Sequence, residues 1–271
     1  MAEEDLYRNV EITSLKALWQ LSDAIEAVPS RGPYIESFTL TLQSHIIGCF
    51  TVGNAFRELG PHLTNLRCAR IHAPFLCPHS LAYVFRALTQ GQKGLELQIS
   101  AVHHTVPHRC SWAQAIRSVR SLSNSPKAVL CSFEGPAPLV ALFPPGMDSL
   151  TEVKLDFPES AAANVKNVVA ALATSCGPQL SRLTCLRDRK SLVLLQALAG
   201  VSKGFPRLEE LVIARRVRAG ANAPAVVEDS DEDHATTDDE SAQGVLQLAS
   251  CINSLRSFTF ESRQVIARLE E

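Results

Sequence analysis

The residues best equipped for chemistry cluster in one run, HHTVPHRC, which holds His103, His104, His108 and Cys110. Imidazole and thiolate are the ligands zinc prefers. The spacing matches no zinc class, however, and Pro107 and Arg109 point to an exposed loop after a strand at Leu97 to Ile99. Solvated histidines are the expectation. A second candidate is Cys77 with His79 in CPHS, a nucleophile and a base two residues apart. Side chains so spaced on a loop seldom meet within hydrogen-bond reach, so a structural loop is expected there. A cysteine-dependent hydrolase on Cys77 or Cys110 is the remote alternative for function. The run GQKG, Gly91 to Gly94, is too short to cradle a phosphate, and no nucleophile elbow, Walker or dinucleotide-binding glycine run occurs. The expectation is a protein that is not an enzyme and takes no cofactor and no metal.

Bulk properties narrow the class. With 271 residues, 46% of them hydrophobic, the chain can bury a continuous core. Acids at Glu3, Glu4 and Asp5 interrupt any leader, and no window reaches the ~20 apolar residues of a membrane span, so no membrane association is expected. Cys49, Cys68, Cys77, Cys110, Cys131, Cys176, Cys185 and Cys251 are scattered without a C-x-x-C pair. Free thiols in a reducing compartment, cytoplasmic or nuclear, follow.

The net charge of −2 hides an asymmetry: Glu228 to Glu240 carries eight acids and no Lys or Arg, leaving 26 basic against 20 acidic residues elsewhere. Those basic residues are spread along the chain, and aromatics are only 6%, so no platform for nucleic-acid bases is expected. The acidic run VEDSDEDHATTDDE lacks the apolar residues needed to offset its ordering entropy, and 219–241 reads as a disordered insertion. A solvated loop is the simplest role for it; folding back on Arg215, Arg216 and Arg218, or catching a basic partner, are the others. Ser230, Thr236 and Thr237 each have an acid three residues on, a pattern that acidophilic kinases accept.

Elements emerge from a repeated phrase, apolar-x-x-apolar-x-apolar. Leu150, Val153 and Leu155 spell it in LTEVKL, and Leu208, Leu211 and Ile213 spell it in LEELVI. Starts fall at 7, 35, 66, 94, 128, 150, 180, 208 and 255, giving steps of 28, 31, 28, 34, 22, 30, 28 and 47, the last lengthened by the acidic insertion. Two copies are degenerate: Gly94, Leu97, Ile99 and Ala128, Cys131, Phe133. Alternation within the phrase predicts a strand with one buried and one open face. Between phrases, Val165, Val168, Val169, Leu172 and Val245, Leu248, Ala249, Ile252 follow helical spacing, with Ser160 as N-cap and Gly177-Pro178 as stop for the first. Further helices are predicted over 45–59, 80–88 and 191–201. A period near 28 suits a leucine-rich repeat: an α/β, ribonuclease-inhibitor-like solenoid horseshoe over 1–271, about nine strand-helix units, parallel strands on the concave face and helices on the convex face. A doubly wound α/β domain is the competing reading.

With LYRNVEI at 6–12 followed by RGPYIESFTL at 31–40, the chain resembles the leucine-rich-repeat region of fungal F-box-like proteins. The resemblance implies that the first run begins the first repeat strand, and that a helix and the second run lead into the second. It also implies substrate recognition within a ubiquitin-ligase adaptor, where an F-box bundle ahead of the repeats docks onto the ligase scaffold. Met1 stands five residues before Leu6, so that bundle is expected to be absent here. A free-standing scaffold or inhibitor without a ligase link is the alternative.

In either case, recognition falls to the open strand face, at positions 3, 5 and 7 of the phrase. The residues expected to bind a partner protein there are Thr39, Arg70, His72, Glu96, Gln98, Glu152, Lys154, Asp156, Arg182, Glu210 and Thr259. They make a mixed polar surface suited to charge-complementary docking by a monomer.

Overall fold

The computed structural model describes residues 3–43, 51–90, 93–100, 111–120, 129–157, 165–187, 191–215, 242–261 and 266–270. Nine strands pair parallel in sequence order: β1 (Asn9–Ile12), β2 (Ser37–Thr41), β3 (Cys68–His72), β4 (Lys93–Ser100), β5 (Val129–Pro136), β6 (Glu152–Phe157), β7 (Arg182–Arg187), β8 (Glu210–Arg215) and β9 (Ser257–Glu261). A tenth, β10 (Ile266–Glu270), which the phrase does not foretell, returns antiparallel beside β9. The helices are α1 (Glu3–Tyr7), α2 (Leu15–Ala27), α3 (Thr51–Leu59), α4 (Pro78–Thr89), α5 (Trp112–Arg120), α6 (Val165–Ser175), α7 (Ser191–Gly200) and α8 (Ala242–Ala249).

Alternation sets the layers. In β2 the side chains of Phe38 and Leu40 are fully buried while Ser37, Thr39 and Thr41 stay half-open. Register then aligns like with like, so that Phe38, Ala69, Leu97, Phe133, Val153, Leu183, Leu211 and Phe258 are consecutive partners across the sheet. Helices cover this apolar side, each against the next in sequence, and their buried residues join those of the strands in one core. The other side of the sheet carries positions 3, 5 and 7. A doubly wound sheet would reverse its strand order partway and cover both faces. This α/β arrangement, a nine-stranded parallel sheet with helices on one face, is compatible with a solenoid.

Local signals explain the helix bounds. Ser14 caps α2 with extended backbone, its Oγ accepting the Ala17 N–H at 3.2 Å, and Pro29 follows one residue after the cap that ends it. Pro78 in the first turn of α4 starts that helix two residues earlier than the apolar periodicity suggests. α6 ends before Gly177, whose N–H donates to the Leu172 carbonyl at 2.9 Å. Its expected cap, Ser160, lies outside the described residues, as does 45–50 of the helix expected from His45.

The two degenerate phrases resolve differently from their spelling. Gly94 is not the first anchor of β4; at φ +84° it sits in a bulge that turns Leu95, fully buried, into that role. Leu95 pairs with Leu130, not with a residue near 128. The fifth phrase therefore starts at Leu130, with Phe133 in its fourth position and Gly135 in its sixth. The sequence reading was two residues early, because Cys131 and Phe133 also alternate correctly. A row of buried leucines or isoleucine results: Ile35, Leu66, Leu95, Leu130, Leu150, Leu180, Leu208 and Leu255. Each such side chain removed from water contributes roughly 1.5–3 kcal/mol.

Gly135 leaves a gap in the core that Phe133 fills. A Cβ on Gly135 would stand 2.7 Å from Phe133 Cζ, so the ring lies where the missing side chain would go. Phe133 meets Phe143 edge-on at 5.2 Å and Phe85 edge-on at 5.7 Å, while Phe85 and Phe143 stack at 5.7 Å. Phe143 follows a 3-10 helix, Ala137–Leu142, which takes the place of the α-helix expected between the fifth and sixth strands. The short step from Leu130 to Leu150 explains the substitution, since β5, a full helix and two turns do not fit into 20 residues. Arg120, at the end of α5, holds this segment by donating through both Nε and Nη2 to the Ala141 carbonyl.

Candidate functional site

Parallel pairing arranges the open face in three rows. The first runs through Asn9, Ser37, Cys68, Glu96, Ser132, Glu152, Arg182, Glu210 and Ser257. The second holds Glu11, Thr39, Arg70, Gln98, Glu134, Lys154, Thr184, Val212 and Thr259. In the third, Thr41, His72 and Ser100 are successive partners, as are Pro136, Asp156, Leu186 and Ala214. All eleven residues expected to bind a partner stand on this face. Arg70, His72, Glu96, Glu152 and Arg182 are exposed; Thr39, Gln98, Lys154, Asp156, Glu210 and Thr259 are half-buried.

Neighbouring rungs are about 4.8 Å apart, close enough for long side chains to pair across strands. Lys154 Nζ lies 2.7 Å from Glu134 Oε1, and Gln98 Nε2 donates to Glu134 Oε2 at 3.2 Å. Glu134 thus joins three strands at the centre of the face. It is absent from the expected set, which takes no residue from the fifth phrase; reading LCSFEG from Leu130 brings it to position 5. Arg182 Nε and Glu210 Oε2 pair at 3.3 Å. No described acid pairs with Arg70, and no described cation with Glu96 or Glu152.

Of the chemical candidates, Cys77 and His79 lie among the described residues. Cys77 Sγ, buried ahead of α4, donates to Ser80 Oγ at 3.6 Å, while His79 Nε2 lies 3.5 Å from Ser118 Oγ on α5. Thiol and imidazole thus engage different partners, and the His79 contact links two helices. Burial pushes the Cys176 thiol up to about 12, which keeps it protonated and unreactive at neutral pH. The run 103–110, residues 91 and 92 of GQKG, Arg216, Arg218, the insertion at 219–241 and its Ser230, Thr236 and Thr237 lie outside the described residues. Among the described residues no group of three His, Cys, Asp or Glu is placed to hold a metal, and no helix is long and apolar enough to cross a membrane.

One cavity, of about 650 Å³, lies away from the open face, along the edge where β6 to β9 begin, and is lined by Thr151, Ser181, Glu209 and Arg256 among others. Its polar groups satisfy one another: Arg207 Nη1 donates to Gln179 Oε1 at 2.7 Å, and Arg256 Nη2 lies 3.8 Å from Glu209 Oε1. Comparison with models of known protein families and with curated proteins finds no match to this chain.

Proposed function

We propose that the chain is a leucine-rich-repeat solenoid of the horseshoe type, and that the open sheet face is its concave, partner-binding side. It works as a non-catalytic protein-interaction module. The observation that supports this best is the face itself: a parallel sheet with one side sealed by helices and the other presenting two continuous rows of side chains and a third in two runs. Such a surface offers many adaptable polar contacts and no deep apolar pocket for a small ligand. By its resemblance to F-box-like repeat regions, the partner is a substrate protein held for a ubiquitin ligase.

Replacing Arg70, Lys154 and Arg182 together by Glu reverses the charge of every Lys and Arg in the three rows over β2 to β8. This variant should lose a partner that co-purifies with the wild-type chain from cells. Lys166 and Lys203, both exposed on the helical side, provide the control, and their reversal to Glu should leave capture intact. A partner retained by the first variant and lost by the second would place the interaction on the helices instead.

A further inference from the structure

The open face is not uniformly polar. Across β7 and β8, Leu186 partners Ala214 and Thr184 partners Val212, and all four are half-buried on the open side. Leu186, Val212 and Ala214 therefore form a small apolar patch, the one place on the described face where three apolar side chains adjoin. Charge surrounds it. Asp156 is the β6 partner of Leu186, and Glu210 lies two residues before Val212 on the same face.

Over the open positions of β4 to β8, five acids (Glu96, Glu134, Glu152, Asp156, Glu210) stand against two cations. Both cations are already engaged, Lys154 at 2.7 Å from Glu134 and Arg182 at 3.3 Å from Glu210. β1 to β3 differ, with Glu11 balanced by Arg70. The apolar patch thus sits inside the acidic part of the face, an apolar centre with a charged rim, as protein interfaces are built. A surplus of acid selects a cationic partner and speeds its encounter.

Resting on the interaction reading above, we propose that the face over β6 to β8 docks an amphipathic segment of a partner protein. An apolar side chain of that segment seats on Leu186, Val212 and Ala214. Lys or Arg residues beside it reach Glu152 and Glu96. With strands about 4.8 Å apart and an extended chain advancing about 3.4 Å per residue, a cation three or four residues from the anchor reaches Glu152, and one about six residues away reaches Glu96.

The test uses the full chain and fluorescein-labelled synthetic peptides in a Ser/Gly background: one with a Leu anchor and Lys at those offsets, one with Ser for Leu, and one with Glu for Lys. Fluorescence anisotropy should show the Leu/Lys peptide binding best, more weakly as salt is raised. Leu186→Ser with Val212→Thr should weaken it about tenfold, as should Glu96→Lys with Glu152→Lys. Circular dichroism checks that both variants fold. Equal binding of the Glu peptide, or affinity unchanged in both double variants, overturns the proposal. So does no binding by the wild-type chain up to about 1 mM. Should that happen while the Arg70, Lys154 and Arg182 variant still loses its cellular partner, the patch falls and the interaction face stands. If the peptide does not bind and that triple variant also keeps its partner, both fall; where the peptide binds, a partner held at least as tightly by the triple variant agrees with a cationic segment.

Discussion

Two stretches of this sheet reach the same geometry by different means. From Leu150 to Ile213 the chain repeats with steps of 30 and 28 residues, each turn supplying a leucine anchor, two apolar strand residues and an α-helix. From Lys93 to Phe143 the steps are irregular: a bulge replaces one anchor, a glycine replaces one core side chain and a 3-10 helix replaces an α-helix. Strand pairing nevertheless continues through both. Parallel pairing constrains the strand positions, while the filling behind them is negotiable so long as the volume is made up. In the irregular stretch, Phe133 and Phe143 make it up, packed against Phe85 of α4.

That contrast can be broken most severely at Phe133. Phe133→Ala should lower the unfolding free energy by about 3–5 kcal/mol in urea titrations. Leu183→Ala, in the same row of the regular stretch, should cost about 2–5 kcal/mol, and less than Phe133→Ala. A smaller loss at Phe133 would make its ring ordinary core.

Next in size is Gly135→Ala, expected to cost about 1–3 kcal/mol because the added methyl meets a packed ring. Phe133→Leu in the same chain should return at least half of that loss, since it removes the ring atom that clashes. Simple additivity of the two changes would show that the ring does not occupy the glycine's space.

Gly94→Ala tests the bulge. The nearest atom to the new Cβ, Cys131 Sγ, is at an ordinary 3.5 Å, so the expected cost of about 1–2 kcal/mol is that of a left-handed backbone alone. Gly200→Ala, at the end of α7 with open space around it, should instead be neutral or stabilising by up to about 1 kcal/mol. Thermal melts of the two variants should move in opposite directions.

Smallest is Glu134→Gln, which keeps the size of the side chain and removes the charge facing Lys154. Both partners are over a third exposed, at 35% and 41%. The expected loss is under about 1 kcal/mol, and it should fade in high salt. A larger, salt-resistant loss would mark the centre of the face as structural.

How much was legible in the sequence follows the same division. Seven phrases announce their strands because an apolar residue, Cys185 among them, fills each anchor and core position, and the period-2 alternation then assigns each side chain to a face. The other two mislead for physical reasons. Gly94 advertises neither a bulge nor that Leu95 will rotate inward, and Phe133 substitutes in space for a side chain two residues away, which no periodicity reports. Glu134, the acid that ties three strands of the open face together, falls on that face in either frame, but the degenerate fifth phrase contributes nothing to the expected set. Leu186, Val212 and Ala214 fall on the open face by the phrase alone, but they become one apolar patch only through the register of two repeats. β10 lacks the phrase altogether, since it pairs in the opposite sense.

That reversed strand bears on assembly. A sheet built by stacking one unit on the next has no internal reason to stop, and an exposed strand edge invites another chain to extend it. Every junction from β1 to β9 is parallel, whereas β10 runs in the opposite direction. A second copy adding its β1 there, in the sense shared by all nine strands, would have to form an antiparallel junction, a sense that among the described strands joins only β9 and β10. A head-to-tail filament built through β10 would interrupt its parallel run of strands at every subunit.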